Sequence, residues 1–384
     1  MLTSILRQCI ACGSGELEPV LDLGEHYLTD FVDTPSLDSP KAPLVLVSCP
    51  RCSMAQLSSV VERDCLIRSY WYRSGMNDTM RKHLEALAAE AALVRFPRPS
   101  ECVLDIGAND GTLLSFFPRQ TTVGFDPALN LLPDLATHAT HAVGNYFTVA
   151  SFEKLDVGKA ALVFTLSMFY DLLSPAAFCR DIARVLAPDG VWVCEMNYFG
   201  EAVRTGAYDF IGHEHVGNYF LAPFNHVVRQ AGLEIFHVEG NTLNGGSMRA
   251  WLCHKGSRPT SASVDRFLAR EGPYRTAEAL AEYAMRAKVA METLRETIGE
   301  LADSKAGEIG EGKECDGMMW LRQIHESGIP HLEKAGDKMI TEDKILVNAI
   351  RAACEETGAL LDAGGLRAEL LAGGRRRRRS RLLA

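Results

Sequence analysis

A chain of 384 residues with 47% hydrophobic side chains has material for two or three domains with true cores. Its formal charge is −9, and six positive charges lie in Arg375 to Arg379 and Arg381; taking those six from −9 leaves −15 on the remainder. A body this acidic speaks against a nucleic-acid substrate, because it repels a phosphate backbone. No uninterrupted apolar run is long enough to cross a bilayer, and Met1 to Gln8 is too short and too mixed for a signal peptide, so a cytoplasmic protein without membrane contact is expected. Of the eleven cysteines, Cys102, Cys179, Cys194 and Cys253 stand alone in apolar runs, where a thiol behaves as a small hydrophobe. In a reducing compartment, close cysteine pairs point to metal.

Two such pairs occur near the start, Cys9-Ile10-Ala11-Cys12 and Cys49-Pro50-Arg51-Cys52. Four thiolates from two tight knuckles close a tetrahedral zinc site, and a site with no open position is structural. Pro35, Pro40 and Pro43 lie between the pairs with few helix signals, so residues 1–68 are expected to form a small loop-rich lobe organised by Zn2+. Next comes Tyr70-Trp71-Tyr72-Arg73-Ser74-Gly75, an aromatic cluster that serves either as a lid over a ligand or as packing between domains. A helical pattern then runs from Asp78 to Phe96.

The stretch Cys102-Val103-Leu104-Asp105-Ile106-Gly107-Ala108-Asn109-Asp110-Gly111-Thr112-Leu113-Leu114 reads as a buried parallel strand, a glycine turn and the start of a helix. Gly107 and Gly111 let the backbone turn sharply beside a ligand. The spacing is G-x-x-x-G, and the carboxylates Asp105 and Asp110 would repel a pyrophosphate but suit a cationic amino-acid end or a ribose. Thr122 to Phe125 is a second strand, ending at Asp126, which is placed to bond the two hydroxyls of a ribose. The pair of landmarks resembles the nucleoside-binding half of class I methyltransferases, which implies S-adenosylmethionine.

Strand and helix patterns continue to alternate: Ala161 to Leu166, Ala176 to Leu186, Gly190 to Glu195. Alternation predicts a parallel sheet with covering helices, and ligands in such sheets sit beyond the carboxyl ends of the strands. That rule gathers Asp105, Asp126, Ser167, Met168 and Glu195 at one crevice, with Asn145-Tyr146-Phe147 near the adenine by position; Asn109 in the glycine turn is a further candidate for cofactor binding. Then comes a dense polar cluster, Asp209 to Phe220, whose histidines His213 and His215 are two apart around Glu214 and so do not form a helical zinc motif. In an extended segment, His213 and His215 point one way and Glu214 the other, and the cluster suits general acid/base work. Phe224 to Ala231 reads as a helix, Leu233 to Val238 as a strand, and Gly245-Gly246 as a turn feeding a last strand on which Arg249 either answers a phosphate or merely follows a hairpin.

From Cys9 to about residue 300 the chain resembles the sugar C-methyltransferases that act on nucleotide-linked deoxysugars. The resemblance rests on the paired knuckles, the Tyr70-x-Tyr72-x-Ser74-Gly75 stretch, the Ile106-Gly107-Ala108-Asn109-Asp110-Gly111 turn, His213-Glu214-His215 with Tyr219 after it, and Gly245-Gly246-Ser247-Met248-Arg249. It implies an α/β protein with a zinc lobe and a class I, Rossmann-like core spanning residues 69–258. It further implies a nucleotide-activated 4-keto sugar as substrate, His215 as base with Glu214 orienting it, Tyr72 near the reacting face, and His213 as second candidate. Two departures stand out: Gly212 occupies a position where the family commonly carries tyrosine, and residues 259–374 read as helical, with runs at Met318 to Glu326 and Lys338 to Thr357, instead of as the family's second Rossmann-like domain. An O- or N-methyltransferase on another small acceptor, or a partner subunit that binds zinc and nucleoside without catalysis, are the alternatives these departures raise. Residues 375–384 form a basic tail expected to stay unpacked. The oligomeric state is left open.

Overall fold

The computed structural model describes residues 3–28 and 40–309, those from 294 onward as backbone only. The helical runs expected beyond residue 309 and the basic tail lie outside the described residues.

The core is a seven-stranded sheet. In spatial order its strands are Leu233–Asn241, Ser247–His254, Leu186–Asn197, Ala160–Leu166, Cys102–Ile106, Thr121–Phe125 and His141–Val143. Ser247–His254 pairs antiparallel with both neighbours and every other pairing is parallel, so one reversed strand is wedged beside an edge. Numbered along the chain, the order is 6-7-5-4-1-2-3, the topology of class I methyltransferases.

Side chains alternate between the two faces, as a pleated strand requires. Leu104, Val163 and Trp192 face the helices Pro175–Val185 and Leu221–Gln230, through Cys179, Ile182, Phe224 and Val227. Val103, Leu162, Val191 and Val193 face the helix Asp78–Val94, through Leu84, Leu87, Ala88 and Ala91. Both faces are therefore covered, and each fully buried aliphatic or aromatic side chain contributes about 1.5–3 kcal/mol.

The N-terminal lobe is richer in strands than its prolines suggest. Glu18–Tyr27, Lys41–Ser48 and Ala55–Leu57 form an antiparallel sheet, and the core segment Gly217–Asn218 adds a fourth strand to it. Pro19 and Pro43 are accommodated where the first two strands slip register. The expected helix after the glycine turn is only a 3-10 turn, Leu114–Phe116, because Pro118 follows at once and disfavours helix in the residue before it. The helix Asp78–Val94 is capped by Asn77, whose side chain accepts from the Thr79 and Met80 N–H groups. On the far side, Ala277–Ile309 packs Tyr283 against Phe199, with ring centroids 5.5 Å apart.

Candidate active site

The carboxyl ends of the central strands open into a cavity of about 340 Å³. There the turn after Cys102–Ile106 winds through three left-handed residues, Gly107 (φ 78), Asn109 (φ 53) and Gly111 (φ 80). A Cβ on Gly107 would stand 3.0 Å from Met168, so only glycine lets the two walls approach. The turn is tied to the next strand by the Gly107 and Ala108 N–H groups, both donating to the Phe125 carbonyl. Asp126 accepts from the Asn109 N–H (2.7 Å) and the Ala128 N–H (2.8 Å). Burial pushes the Asp105 carboxyl up to about 8, with the Asp126 and Asp110 charges adding to it. Burial also raises Asp126, against the two N–H bonds that lower it. A cationic ligand beside these buried acids would oppose the effect of burial and favour their ionised forms.

Asp105, Gly107, Asn109, Asp126, Asn145, Phe147, Ser167 and Met168 all line this cavity. Asp110 and Gly111 stand behind it. Asp110 accepts from the Gly75 N–H (2.7 Å) and from Thr112, while Gly111 packs on Leu135 and His138. The aromatic segment is fastened over the turn, with the Asn109 side chain donating to the Tyr72 carbonyl (3.0 Å) and accepting from the Ser74 N–H (2.9 Å). Tyr70, Trp71 and Tyr72 form a wall of the cavity, which is the lid alternative.

Glu214 and His215 line the same cavity, together with Tyr170, Asp171, Asp209 and Phe210. The expectation that His213 and His215 face alike is overturned. The chain turns at Gly212, with the His215 N–H bonded to its carbonyl (3.0 Å), so strand alternation does not apply. His213 instead faces the lobe, where its Nε2 donates to the Ala42 carbonyl at 3.0 Å and burial lowers its pKa. His215 Nδ1 donates to the Phe210 carbonyl. Because that oxygen can only accept, the basic lone pair belongs to Nε2, which lies 3.8 Å from Glu214 Oε1. The Tyr170 ring packs edge-on against the imidazole at 4.3 Å.

Tyr170 and Asp171 are cavity residues that the sequence reading does not reach; they lie two and three positions past Met168 at a strand's carboxyl end, whereas Tyr70 and Asp209 belong to the aromatic and polar clusters without an assigned role. Burial and the Glu214 charge push the Tyr70 phenol well up. Glu195 does not reach the crevice. It accepts from His83 (2.5 Å), Asn241 (2.9 Å) and Arg249 (2.7 Å). Burial would raise this carboxyl, but the His83 bond and the Arg249 charge bring it below the usual range. Arg249 also meets Glu90 and Glu239, so it is neutralised within the protein and is no phosphate ligand.

In the lobe, Cys9 Sγ lies 3.5 Å from Cys52 Sγ and Cys12 Sγ 3.6 Å from Cys49 Sγ, and all four sulfurs fall within 4.8 Å of one another. A tetrahedron with zinc–sulfur bonds of about 2.3 Å has edges of about 3.8 Å, so the set fits Zn2+. The two knuckles fold alike: the Gly13 N–H donates to the Cys9 carbonyl and the Ser53 N–H to the Cys49 carbonyl, both at 2.8 Å, with positive φ at Gly13 and Ser53. A hydrogen bond shared with Cys52 pushes the Cys9 thiol down to about 5 and raises Cys52, so one of the pair is already thiolate-like.

The knuckles reach the cavity through Gln56. Its buried amide accepts from the Ile10 N–H (2.8 Å) and donates to the Gln8 carbonyl (3.2 Å). Its strand pairs Gly217 with Gln56 and Asn218 with Ala55, and the Leu57 N–H donates to the Val216 carbonyl at 2.9 Å. The segment carrying Glu214 and His215 is thus docked at both ends on the zinc-binding lobe.

A family model described as "Putative zinc binding domain" matches residues 9–66, and one described as "Methyltransferase domain" matches residues 72–238. The chain is 26% identical over 252 residues to the C-methyltransferase NovU of Streptomyces niveus, covering 63% of this chain and 60% of that protein. Solved structures include an S-adenosylmethionine-dependent methyltransferase from Clostridium acetobutylicum, 10% identical with a TM-score of 0.37 over 46% of this chain and 92% of that one. Another is the magnesium protoporphyrin IX methyltransferase of Synechocystis with bound S-adenosylhomocysteine, 13% identical with a TM-score of 0.35 over 47% and 88%. The molecule is a zinc-binding lobe joined to a class I S-adenosylmethionine-dependent methyltransferase core. The two models match in the order lobe and then core, and the chain spans about 60% of the length of the Streptomyces niveus relative.

Proposed function

We propose that the protein transfers a methyl group from S-adenosylmethionine to the carbon beside the ketone of a nucleotide-linked 4-keto deoxysugar. The observation that carries this reading is one cavity lined by both an acid-flanked glycine turn and an oriented imidazole with a carboxylate and phenols. A heteroatom acceptor offers a lone pair of its own, whereas a carbon beside a ketone becomes nucleophilic only when a base removes its proton, the role that an imidazole with its lone pair on Nε2 suits. The name of the Streptomyces niveus relative supports carbon as the acceptor atom.

When bound, S-adenosylmethionine supplies an electrophilic methyl on a sulfonium. On this reading Asp105 faces the ammonium of its amino-acid end, Asp126 the ribose, and Asn145 and Phe147 the adenine, with Gly107, Asn109, Ser167 and Met168 shaping the bed and Asp110 and Gly111 bracing it. His215 Nε2 takes the proton from the acceptor carbon. Glu214 stabilises the imidazolium that forms, and Tyr70, Tyr72 or Tyr170 is placed to donate to the enolate oxygen. Lobe and core correspond to residues 1–68 and 69–258, the helices Ala262–Glu271 and Ala277–Ile309 pack on that core, and the thiol-rich lobe suits the cytoplasm. The test is a panel of 4-keto nucleotide sugars with cofactor carrying a 13C methyl. A new carbon–methyl resonance in the product is expected, and an O-methyl or N-methyl shift would reject a carbon acceptor.

A further inference from the structure

The end of the cavity beside Asn145 and Tyr146 is closed by a residue of the zinc-binding lobe. Arg63 follows the lobe strand Ser59–Val61, caps the one-turn helix Asp64–Ile67, and lines the cavity with Pro127, Asn145 and Tyr146. Its guanidinium carbon lies 4.8 Å from the centroid of the Tyr146 ring. That ring is itself fixed, because its hydroxyl donates to Asp64 Oδ1 at 2.8 Å and Arg68 stacks on it at 5.3 Å. Arg63 Nε is buried and makes no hydrogen bond within the protein. Nε itself is closed to solvent, so a ligand in the cavity would meet the terminal guanidinium nitrogens, to which no carboxylate is paired among the described residues. Among the described residues, the carboxyl side chains lining the cavity are Asp105, Asp126, Asp171, Asp209 and Glu214, so a ligand reaching Arg63 meets a guanidinium in an otherwise acidic vessel.

Tyr146 follows Asn145, and Arg68, which stacks on the same ring, also donates to the Pro127 carbonyl (3.5 Å), so Arg63 stands beside the segments that carry Asp126 and Asn145. We propose that Arg63 is a cofactor-contacting residue, its guanidinium stacked on Tyr146 and donating to the adenosine end of S-adenosylmethionine, so that the zinc-binding lobe completes the nucleoside pocket. A stacked, planar donor of this kind is not replaced by lysine. The inference rests on the reading that the glycine turn holds S-adenosylmethionine.

Calorimetry with S-adenosylhomocysteine and with 5′-methylthioadenosine, which lacks the amino-acid end, tests it on the full chain. The proteins compared are the wild type, Arg63→Met, Arg63→Lys and Asp126→Ala, each checked for zinc content and melting temperature. Arg63→Met is expected to weaken both ligands by the same factor, about tenfold, with zinc content unchanged. Arg63→Lys is expected to weaken both by about threefold or more, and it carries the test if the methionine variant does not fold. Wild-type affinity in the Arg63 variants while Asp126→Ala loses affinity would overturn the Arg63 assignment alone. Weakening of S-adenosylhomocysteine but not of methylthioadenosine would also overturn it, by placing Arg63 at the wrong end. A wild type that binds neither ligand would overturn the cofactor reading itself.

Discussion

In the core, Cys102 to Ile106 are buried at every position, and Val103, Leu104, Leu162, Val163, Trp192 and Val193 are wholly removed from water. In the lobe, Glu18–Tyr27 instead mixes buried and exposed residues, Lys41–Ser48 alternates up to Val45 before its last three residues are all buried, and four sulfurs gather beside these strands. A sheet covered on both faces stands on apolar burial, whereas one covered on a single face needs another source of stability, which a closed metal site supplies. The lesson is functional as well as structural. Asp105, Gly107 and Asp126 are held by the core, but Glu214 and His215 are carried by a segment stitched to the lobe, so the two sets of residues lining one cavity depend on different physics.

The sharpest way to break this contrast is to take the metal away. Structural zinc is worth on the order of 10 kcal/mol to such a lobe. Chelation or Cys49→Ser is therefore expected to strip hydrogen-exchange protection from Lys41–Ser48 while Cys102–Ile106 stays protected, and to lower turnover by about 100-fold. Simultaneous loss of protection in both strands would show one cooperative unit and end the distinction. The mirror experiment is Leu104→Ala, which is expected to cost about 3 kcal/mol in denaturant unfolding of the core with zinc content unchanged.

Asp105→Asn sharpens the core side. The folded state holds the Asp105 proton up to about pH 8, whereas the unfolded carboxyl releases it near 3.8. Wild-type stability should therefore fall as pH rises from about 4 to 8, by at most about 1.4 kcal/mol per unit, and this component should vanish in the variant. Thermal melts across that range check it, and they should be run without cofactor, whose cationic end favours the ionised form. The smallest expected effect is Gln56→Leu, which unpairs the Ile10 N–H and the Gln8 carbonyl at about 1 kcal/mol. It should lower kcat by more than it weakens cofactor binding, because it loosens the lobe's grip on the His215 segment and touches nothing at the glycine turn.

Much of the core was legible because its signals are local. Continuous apolar runs marked the strands, the glycines marked the turn, and C-x-x-C spacing marked the knuckles. What was missed depends on contacts distant in sequence. The strand Gly217–Asn218 exists only because Ala55–Leu57 offers it an edge, and the turn that separates His213 from His215 leads into that pairing. Glu195 satisfies the carboxyl-end rule, yet His83 and Arg249, 112 and 54 positions away, draw it out of the cavity. Tyr170 and Asp171 were within reach of the same rule, which was applied no further than Met168. Pro118 announced the missing helix turn, a stop signal that the apolar pair Leu113-Leu114 obscured.

The central claim is that His215 removes a proton from an acceptor carbon in the cofactor cavity. Its most direct measurement follows deuterium at the carbon beside the ketone of a 4-keto nucleotide sugar, together with methyl transfer, in the wild type and in His215→Gln. The account predicts wash-out and methylation by the wild type, and loss of both in a variant that melts normally and still binds S-adenosylhomocysteine. Retention of either wash-out or transfer in that variant would contradict it.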